Sequence, residues 1–449
     1  MPDFNNARHN DRPTKPLAPV IKILIFLGSW PFWTPRRAPG HERPNAHKNQ
    51  RQKRGHAPGS YAKLTVEPLL PYEHQIMQYS SAPRTRAVIL DGAGLRDHYA
   101  QVIVPMWRGR GYYAPIGLPL EAILPDPLKP PLAITRFRAM ACARQLYVFS
   151  VAADAAHARG LFDALVNRFA DRENSGFHYS VGPDATPLET EKDLYTHAFV
   201  IFACAAYYRL MGDNRALAVI GRTFDVVNTR FPTDPANGLP VSKCSRNFES
   251  ILELARQNPL MHLTEAYLEA MASTKDARFD SALDLLLCQF VETFLDRKTD
   301  CVLELPLTDT DNWIEPGHQF EWCFLRDSSR HPGFTSSGLG IHLDQAYAFA
   351  QQHGVVPQSG GVVAALDRTG AVRDANQRIW AQTEYLRAMA CHPDPAQRAQ
   401  LPEQIARFAG RFLHDAGWHE MLSDDDQVIR AEMPSTTAYH LIGAYQVLP

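Results

Sequence analysis

The 449-residue sequence contains no C-x-x-C pair, no glycine-rich phosphate loop and no apolar run long enough to cross a bilayer. Each absence removes a class of protein. The seven cysteines, Cys142, Cys204, Cys244, Cys288, Cys301, Cys323 and Cys391, are scattered and odd in number, which suits reduced thiols in a cytoplasmic protein and gives no cysteine-held metal site. Without a phosphate loop, nothing demands a nucleotide. The one long apolar stretch, Val20 to Trp33, is interrupted by Lys22 and Pro31 and is too short for a spanning helix. It also starts late for a secretion signal and lacks a clean small-residue cleavage site.

Positive charge is scarce over most of the chain. Residues 1–90 hold 14 Lys and Arg against 5 Asp and Glu, whereas residues 91–449 hold 32 against 43. An acidic body of this kind excludes nucleic acid as a partner, because phosphate-backbone binding needs a basic face. The basic stretch His41 to His56 is nearly devoid of apolar residues, so residues 1–90 are expected to be a disordered extension and residues 91–449 the folded domain.

Beyond Leu95, apolar residues recur three and four apart. The spacing predicts helices over Ile134–Ala152, Ala156–Phe169, Asp193–Met211, Arg215–Phe231, Pro259–Ala272, Ala277–Phe294, His342–His353, Arg378–Ala390 and Pro402–His414, with shorter ones at Leu95–Trp107 and Thr437–Val447. Three segments opening on Gly176, Gly361 and Gly417 each read as strand, Asp/Gly turn, strand. Helix pairs closed by small hairpins and repeated around a ring predict an (α/α)6 barrel whose working face is the hairpin end.

Polar residues on otherwise apolar helix faces mark the candidate chemistry. Asn258, His262 and Glu265 share one side of a helix start, and His318 and Glu321 stand three apart after a Pro-Gly break. A carboxylate one turn from an imidazole can set its tautomer and raise its basicity, as a general base near neutral pH requires. His440 opens the last helix, where an ordinary surface histidine would also fit. A glycoside hydrolase on the same fold would instead need paired carboxylates across a cleft, for which Asp309, Asp311 and Glu315 are the available residues.

Six motifs taken together, around Arg144, Tyr195, Asn258 to Glu265, Glu315 to Trp322, Trp380 to Arg387, and Ser435 to His440, resemble the N-acylglucosamine 2-epimerase superfamily, which includes mannose isomerases, sugar-phosphate isomerases and cellobiose 2-epimerases. The resemblance runs from about residue 91 to the end. It implies an (α/α)6 barrel and a histidine-lined site with no metal and no cofactor. Arg144 would bind sugar oxygens, and Tyr195 and Asn258 would make further substrate contacts. His262 would assist at the ring, and His318 and His440 would form the acid/base pair, with Glu321 oriented on His318. Trp380 would be a stacking wall and Glu384 a hydroxyl acceptor. The implied partner is a small sugar, with no membrane association, and a homodimer is compatible with the resemblance. The closing Pro434-Ser-Thr-Thr-Ala-Tyr-His form resembles the mannose or mannose-6-phosphate isomerase branch, so aldose–ketose isomerisation is the expected reaction and 2-epimerisation the alternative.

Overall fold

The computed structural model describes residues 89–449, and the expected basic extension lies outside the described residues. Among the described residues, six helices form a closed inner ring: α1 (Ala139–Val151), α2 (Leu194–Met211), α3 (Gln257–Thr274), α4 (Pro316–Ser329), α5 (Ile379–Cys391) and α6 (Thr437–Tyr445). Each packs on the next and α6 packs on α1. Their N-termini meet at one end of the ring. Outside stand Ala155–Ala164, Asn214–Thr229, Arg278–Phe294, Leu339–Gly354 and Leu401–Phe412, with Gly92–His98 against α6. This is the expected (α/α)6 architecture.

The two layers differ in sequence for a physical reason. An inner helix has neighbours on every side, so α2 is buried almost continuously from Leu194 to Tyr207. An outer helix keeps one wet face, and Asn214–Thr229 buries only Ala216, Val219, Ile220, Thr223, Phe224, Val226 and Val227, a stripe at three- and four-residue spacing. Each buried Val, Ile or Phe contributes about 1.5–3 kcal/mol relative to exposure. Helix starts are capped locally: Asp193 accepts from the Thr196 backbone N–H at 2.8 Å, and Pro316 occupies the first turn of α4. Two expected outer helices depart from regular form, since Tyr99–Ile103 and Leu165–Phe169 widen into π-turns.

The hairpins hold the inner helices in place at the working end. The two residues before α1, Phe137–Arg138, pair with Ser180–Val181; Lys192–Asp193, before α2, pair with Lys243–Cys244; and Gln377–Arg378, before α5, pair with Met421–Leu422. Met433–Pro434, before α6, pair with Ala122–Ile123, which closes the ring between the two ends of the domain. A fourth hairpin, Lys243–Cys244 with Ile251–Glu253, joins the three expected and carries the same register shift in its first strand. Glycine opens the recognised repeats because the chain passes close to its neighbours there. A Cβ at Gly176 (φ 68°) would stand 2.5 Å from His197 Nε2, and one at Gly417 (φ 135°) 2.3 Å from Met433 Sδ.

All seven cysteines are unpaired, and no described helix is long and apolar enough to cross a membrane. Beneath the first two hairpins lies a buried ion cluster. Asp171 accepts from the fully buried Lys192 Nζ at 2.8 Å, from Arg246 at 2.8 and 3.0 Å, and from the backbone N–H groups of Glu173 and Asn174. Removing one member leaves a buried charge uncompensated. Asp171→Ala is expected to lower unfolding stability by about 3–5 kcal/mol in urea titration, and a loss below about 1 kcal/mol would contradict this reading of the cluster.

Candidate active site

The converging N-termini of the inner helices deliver the site one helix at a time. Arg144 projects from α1, Tyr195 from the first turn of α2, Asn258 and His262 from α3, His318 and Glu321 from α4, Trp380 and Glu384 from α5, and His440 from α6. The ring therefore brings together all nine residues named from the sequence. A solvent-open cavity of about 420 Å³ has two of them, Tyr195 and Asn258, in its wall, together with Glu304, Trp313 and Glu315.

Arg144 sits in a cage of aromatic faces, its guanidinium carbon 4.1 Å from the Phe199 ring centre, 4.8 Å from Tyr439 and 5.3 Å from Tyr195. It donates to the Tyr195 hydroxyl and, at 3.2 Å, to the Thr436 carbonyl. His262 packs edge-on to Tyr195 at 4.9 Å and lies 6.5 Å from the His440 ring. Its Nδ1 stands 3.2 Å from Glu265 Oε2, and the Tyr439 hydroxyl donates to the same carboxylate. Burial pushes His262 down to about 4, against the opposing pull of Glu265, so it is neutral at pH 7.

His318 and His440 both pack on Trp380, with ring centres 4.9 and 5.7 Å from it. Their surroundings push the two rings in opposite directions. His318 Nδ1 lies 2.8 Å from Glu304 Oε1 and 3.7 Å from Glu315 Oε2; burial alone would lower its pKa, but the two carboxylates outweigh burial and raise it to about 9. For His440, burial is reinforced by Arg144, His262 and Arg387 and holds the ring well below the usual imidazole value. Its Nδ1 is 2.9 Å from Glu384 Oε1, and both Glu384 oxygens accept from Arg387 Nη1, at 3.0 and 2.9 Å. A neutral His440 that donates its Nδ1 proton to Glu384 keeps the Nε2 lone pair free. His440 is 6% exposed, so it is a buried member of the cluster and not a surface histidine near the chain end.

Glu321 is placed differently from the expectation. The helix turns its carboxylate toward His262 Nδ1, 3.8 Å away, and toward Glu384 and His440, while Glu304 takes the position beside His318. Residues three apart share a helix face, but the rotamers along that face need not meet. Neither Glu321 oxygen has a hydrogen-bond partner among the described residues, and burial together with the nearby Glu384 and Glu265 raises its pKa well above 4.5. The glycosidase carboxylates do not assemble: Asp309 and Asp311 are exposed, and Asp311 pairs with Arg373 at 2.9 Å.

Three residues packed into the site were given no role in the sequence reading. Glu304 is the one ionisable residue within the apolar run Cys301 to Leu307, a signal that was present but unaccompanied by any motif. Arg387 stands three residues after Glu384 in the Trp380 motif, and Gln257 immediately precedes Asn258. Both are buried polar groups whose partners come from elsewhere in the ring.

The chain belongs to the N-acylglucosamine 2-epimerase family, whose model matches residues 131–444. It is 25% identical over 373 residues to a mannose-6-phosphate isomerase of Rhizobium meliloti, covering 76% of this chain and 92% of that enzyme. It is 24% identical over 267 residues to a cellobiose 2-epimerase of Dictyoglomus turgidum, covering 52% of this chain and 64%, just under two thirds, of that enzyme. The fold matches the structure of cellobiose 2-epimerase from Bacillus thermoamylovorans with a TM-score of 0.69 at 17% identity, over 79% of this chain and 98% of that one.

The state of Glu321 has a thermodynamic consequence. The folded protein keeps this proton above pH 4.5 while the unfolded chain releases it, so the group makes stability fall as pH rises from there. Glu321→Gln removes that slope. Its melting temperature is expected to exceed that of the wild type at pH 8 and to converge with it near pH 4.5, and a variant less stable than wild type at pH 8 would contradict the protonated assignment.

Proposed function

We propose that this member of the N-acylglucosamine 2-epimerase family is a sugar 2-epimerase that inverts C2 of an aldose by passing a proton in through one histidine and out through another. The observation that carries the reading is two imidazoles packed on one indole in environments that push them apart. Glu304 and Glu315 favour the charged form of His318, while burial with Arg144, His262 and Arg387 favours the neutral form of His440. Environments that push two like groups apart in pKa assign the acid and the base.

After the ring opens, which neutral His262 beside Tyr195 is placed to assist, His440 Nε2 takes the proton from C2 next to the aldehyde. The C–H electron pair moves into the C1–C2 bond and the carbonyl oxygen becomes an enediolate oxygen. Arg144, held by Tyr195 and the Thr436 carbonyl, is the cation placed to receive that charge. His318 then returns a proton to C2 from the other side, which gives the epimer. The pair ends with His440 cationic and His318 neutral, the starting state for the reverse reaction. Trp380 forms the apolar wall on which both rings are stacked, and Glu384 fixes the tautomer of His440. Asn258, whose Oδ1 has no partner among the described residues, is available to a sugar hydroxyl.

Aldose–ketose isomerisation is the second reading. It is favoured by the match to the Rhizobium meliloti mannose-6-phosphate isomerase over 92% of that enzyme's length and by the closing Ser-Thr-Thr-Ala-Tyr-His segment. There the proton taken from C2 would be returned to C1, and the same two histidines would serve.

The test is a product time course with mannose, cellobiose and N-acetylglucosamine. The 2-epimer is expected as the first product of the accepted sugar, whereas a ketose appearing first would transfer the assignment to isomerisation. His318→Asn and His440→Asn should each lower kcat by about 10²–10⁴. Full turnover by the His440 variant would overturn the two-histidine scheme.

A further inference from the structure

The state of His318 depends on groups outside its own motif. Glu304 lies 14 residues earlier in the chain, in the loop after the strand Cys301–Val302, and is itself 6% exposed. Its Oε1 faces His318 Nδ1 at 2.8 Å, its Oε2 accepts from Gln257 Nε2 at 3.0 Å, and Gln257 Nε2 also stands 2.8 Å from His318 Nδ1. The Gln257 amide has only one orientation available, because its Oε1 accepts from the Trp322 indole N–H at 3.1 Å. Trp322 lies on α4 one turn beyond His318 and is fully buried. The chain of contacts therefore leaves α4 at Trp322, crosses to α3 at Gln257, and returns through the Glu304 loop to His318 on α4.

We infer that Glu304 is the positioning residue of His318: the Trp322–Gln257–Glu304 chain grips the imidazole at Nδ1, keeps it in the proton-donating state, and turns Nε2 toward the sugar. This inference rests on the proposed role of His318 as the acid at C2. Three features distinguish Glu304 from the other charges facing the ring. Glu315, at the start of α4, is 3.7 Å away and partly exposed at the cavity wall, where it also faces Arg378 and accepts from Trp313 Nε1 at 3.3 Å. Glu321, on α4 itself, is turned toward His262 and Glu384, and His262 on α3 is neutral. Among the carboxylates, only Glu304 combines hydrogen-bond distance to Nδ1, burial, and a fixed second oxygen, and the Gln257 amide that also reaches Nδ1 is uncharged. A carboxylate–histidine contact of this kind sets the tautomer and stabilises the imidazolium, and loosening it changes proton transfer without touching the sugar.

The test uses the full-length protein and the variants Glu304→Gln and Glu304→Asp, with His318→Asn serving to assign the His318 resonance in histidine-labelled protein. In the wild type, His318 is expected to titrate near 9. Glu304→Gln should move that titration down by about 1–3 pH units, the span for loss of one adjacent opposite charge. In kinetics, the alkaline limb of kcat/KM should move down with it, so that the variant loses about tenfold more activity at pH 8.5 than at pH 6.5. Glu304→Asp should restore part of both effects. The NMR titration needs no turnover, so it decides the positioning role even if the sugar reaction proves to be a different one. A His318 titration unchanged in Glu304→Gln, with native near-ultraviolet circular dichroism, would overturn the inference. If that variant does not fold, an unshifted His318 titration in Glu304→Asp would overturn it instead.

Discussion

Three carboxylates, two guanidiniums and three imidazoles are buried together inside the ring, and the rest of the site follows from how they are reconciled. Glu265, Glu321 and Glu384 are each at most 5% exposed, and Arg387 is the guanidinium placed against two of them. It bonds to both oxygens of Glu384 and lies 3.6 Å from Glu265. Burying an uncompensated ion costs several kcal/mol, so one cation cannot hold three ionised carboxylates. His262, Arg387 and Tyr439 hold Glu265 down to about 2 despite its burial, burial raises Glu384 against the opposing pull of Arg387, and burial with no hydrogen-bond partner among the described residues raises Glu321 well above 4.5.

The same constraint separates two chemically identical side chains. His318 sits at the edge of the cluster where the Glu304 loop and the start of α4 supply two carboxylates, whereas His440 sits on the side of Arg144 and Arg387. Helix geometry adds to this division. All six inner helices point their N-terminal ends at the site, and unpaired backbone N–H groups there favour developing negative charge. An enediolate is the kind of intermediate such a field would stabilise. The hairpins matter because the residues preceding α1, α2, α5 and α6 are each strand-paired to a neighbouring segment, which limits how far those N-termini can move apart.

Much of this was legible in the sequence because the determinants are local. Helix positions follow from three- and four-residue apolar spacing, and the (α/α)6 ring from helix pairs alternating with Gly-initiated hairpins. The fourth hairpin escaped because Leu239 stands where the other three open on Gly176, Gly361 and Gly417, and Phe248 at φ 69° takes the turn position that Gly370 holds in one of them. The nine site residues were legible as motifs, but their pairings were not. Glu321 stands one turn from His318 in sequence yet faces His262, and the carboxylate that does meet His318 arrives from a loop 14 residues away. Spacing along a helix identifies a shared face; the rotamer and the tertiary partner decide the contact.

The most direct test of the two-histidine account is the fate of the C2 hydrogen when the enzyme turns over its sugar in deuterated water. Transfer between two separate imidazoles predicts that, in the first turnovers, the 2-epimer carries solvent deuterium at C2 while the remaining starting sugar keeps its protium. Deuterium entering product and recovered starting sugar at the same rate, or a product that retains the original C2 hydrogen, would contradict it.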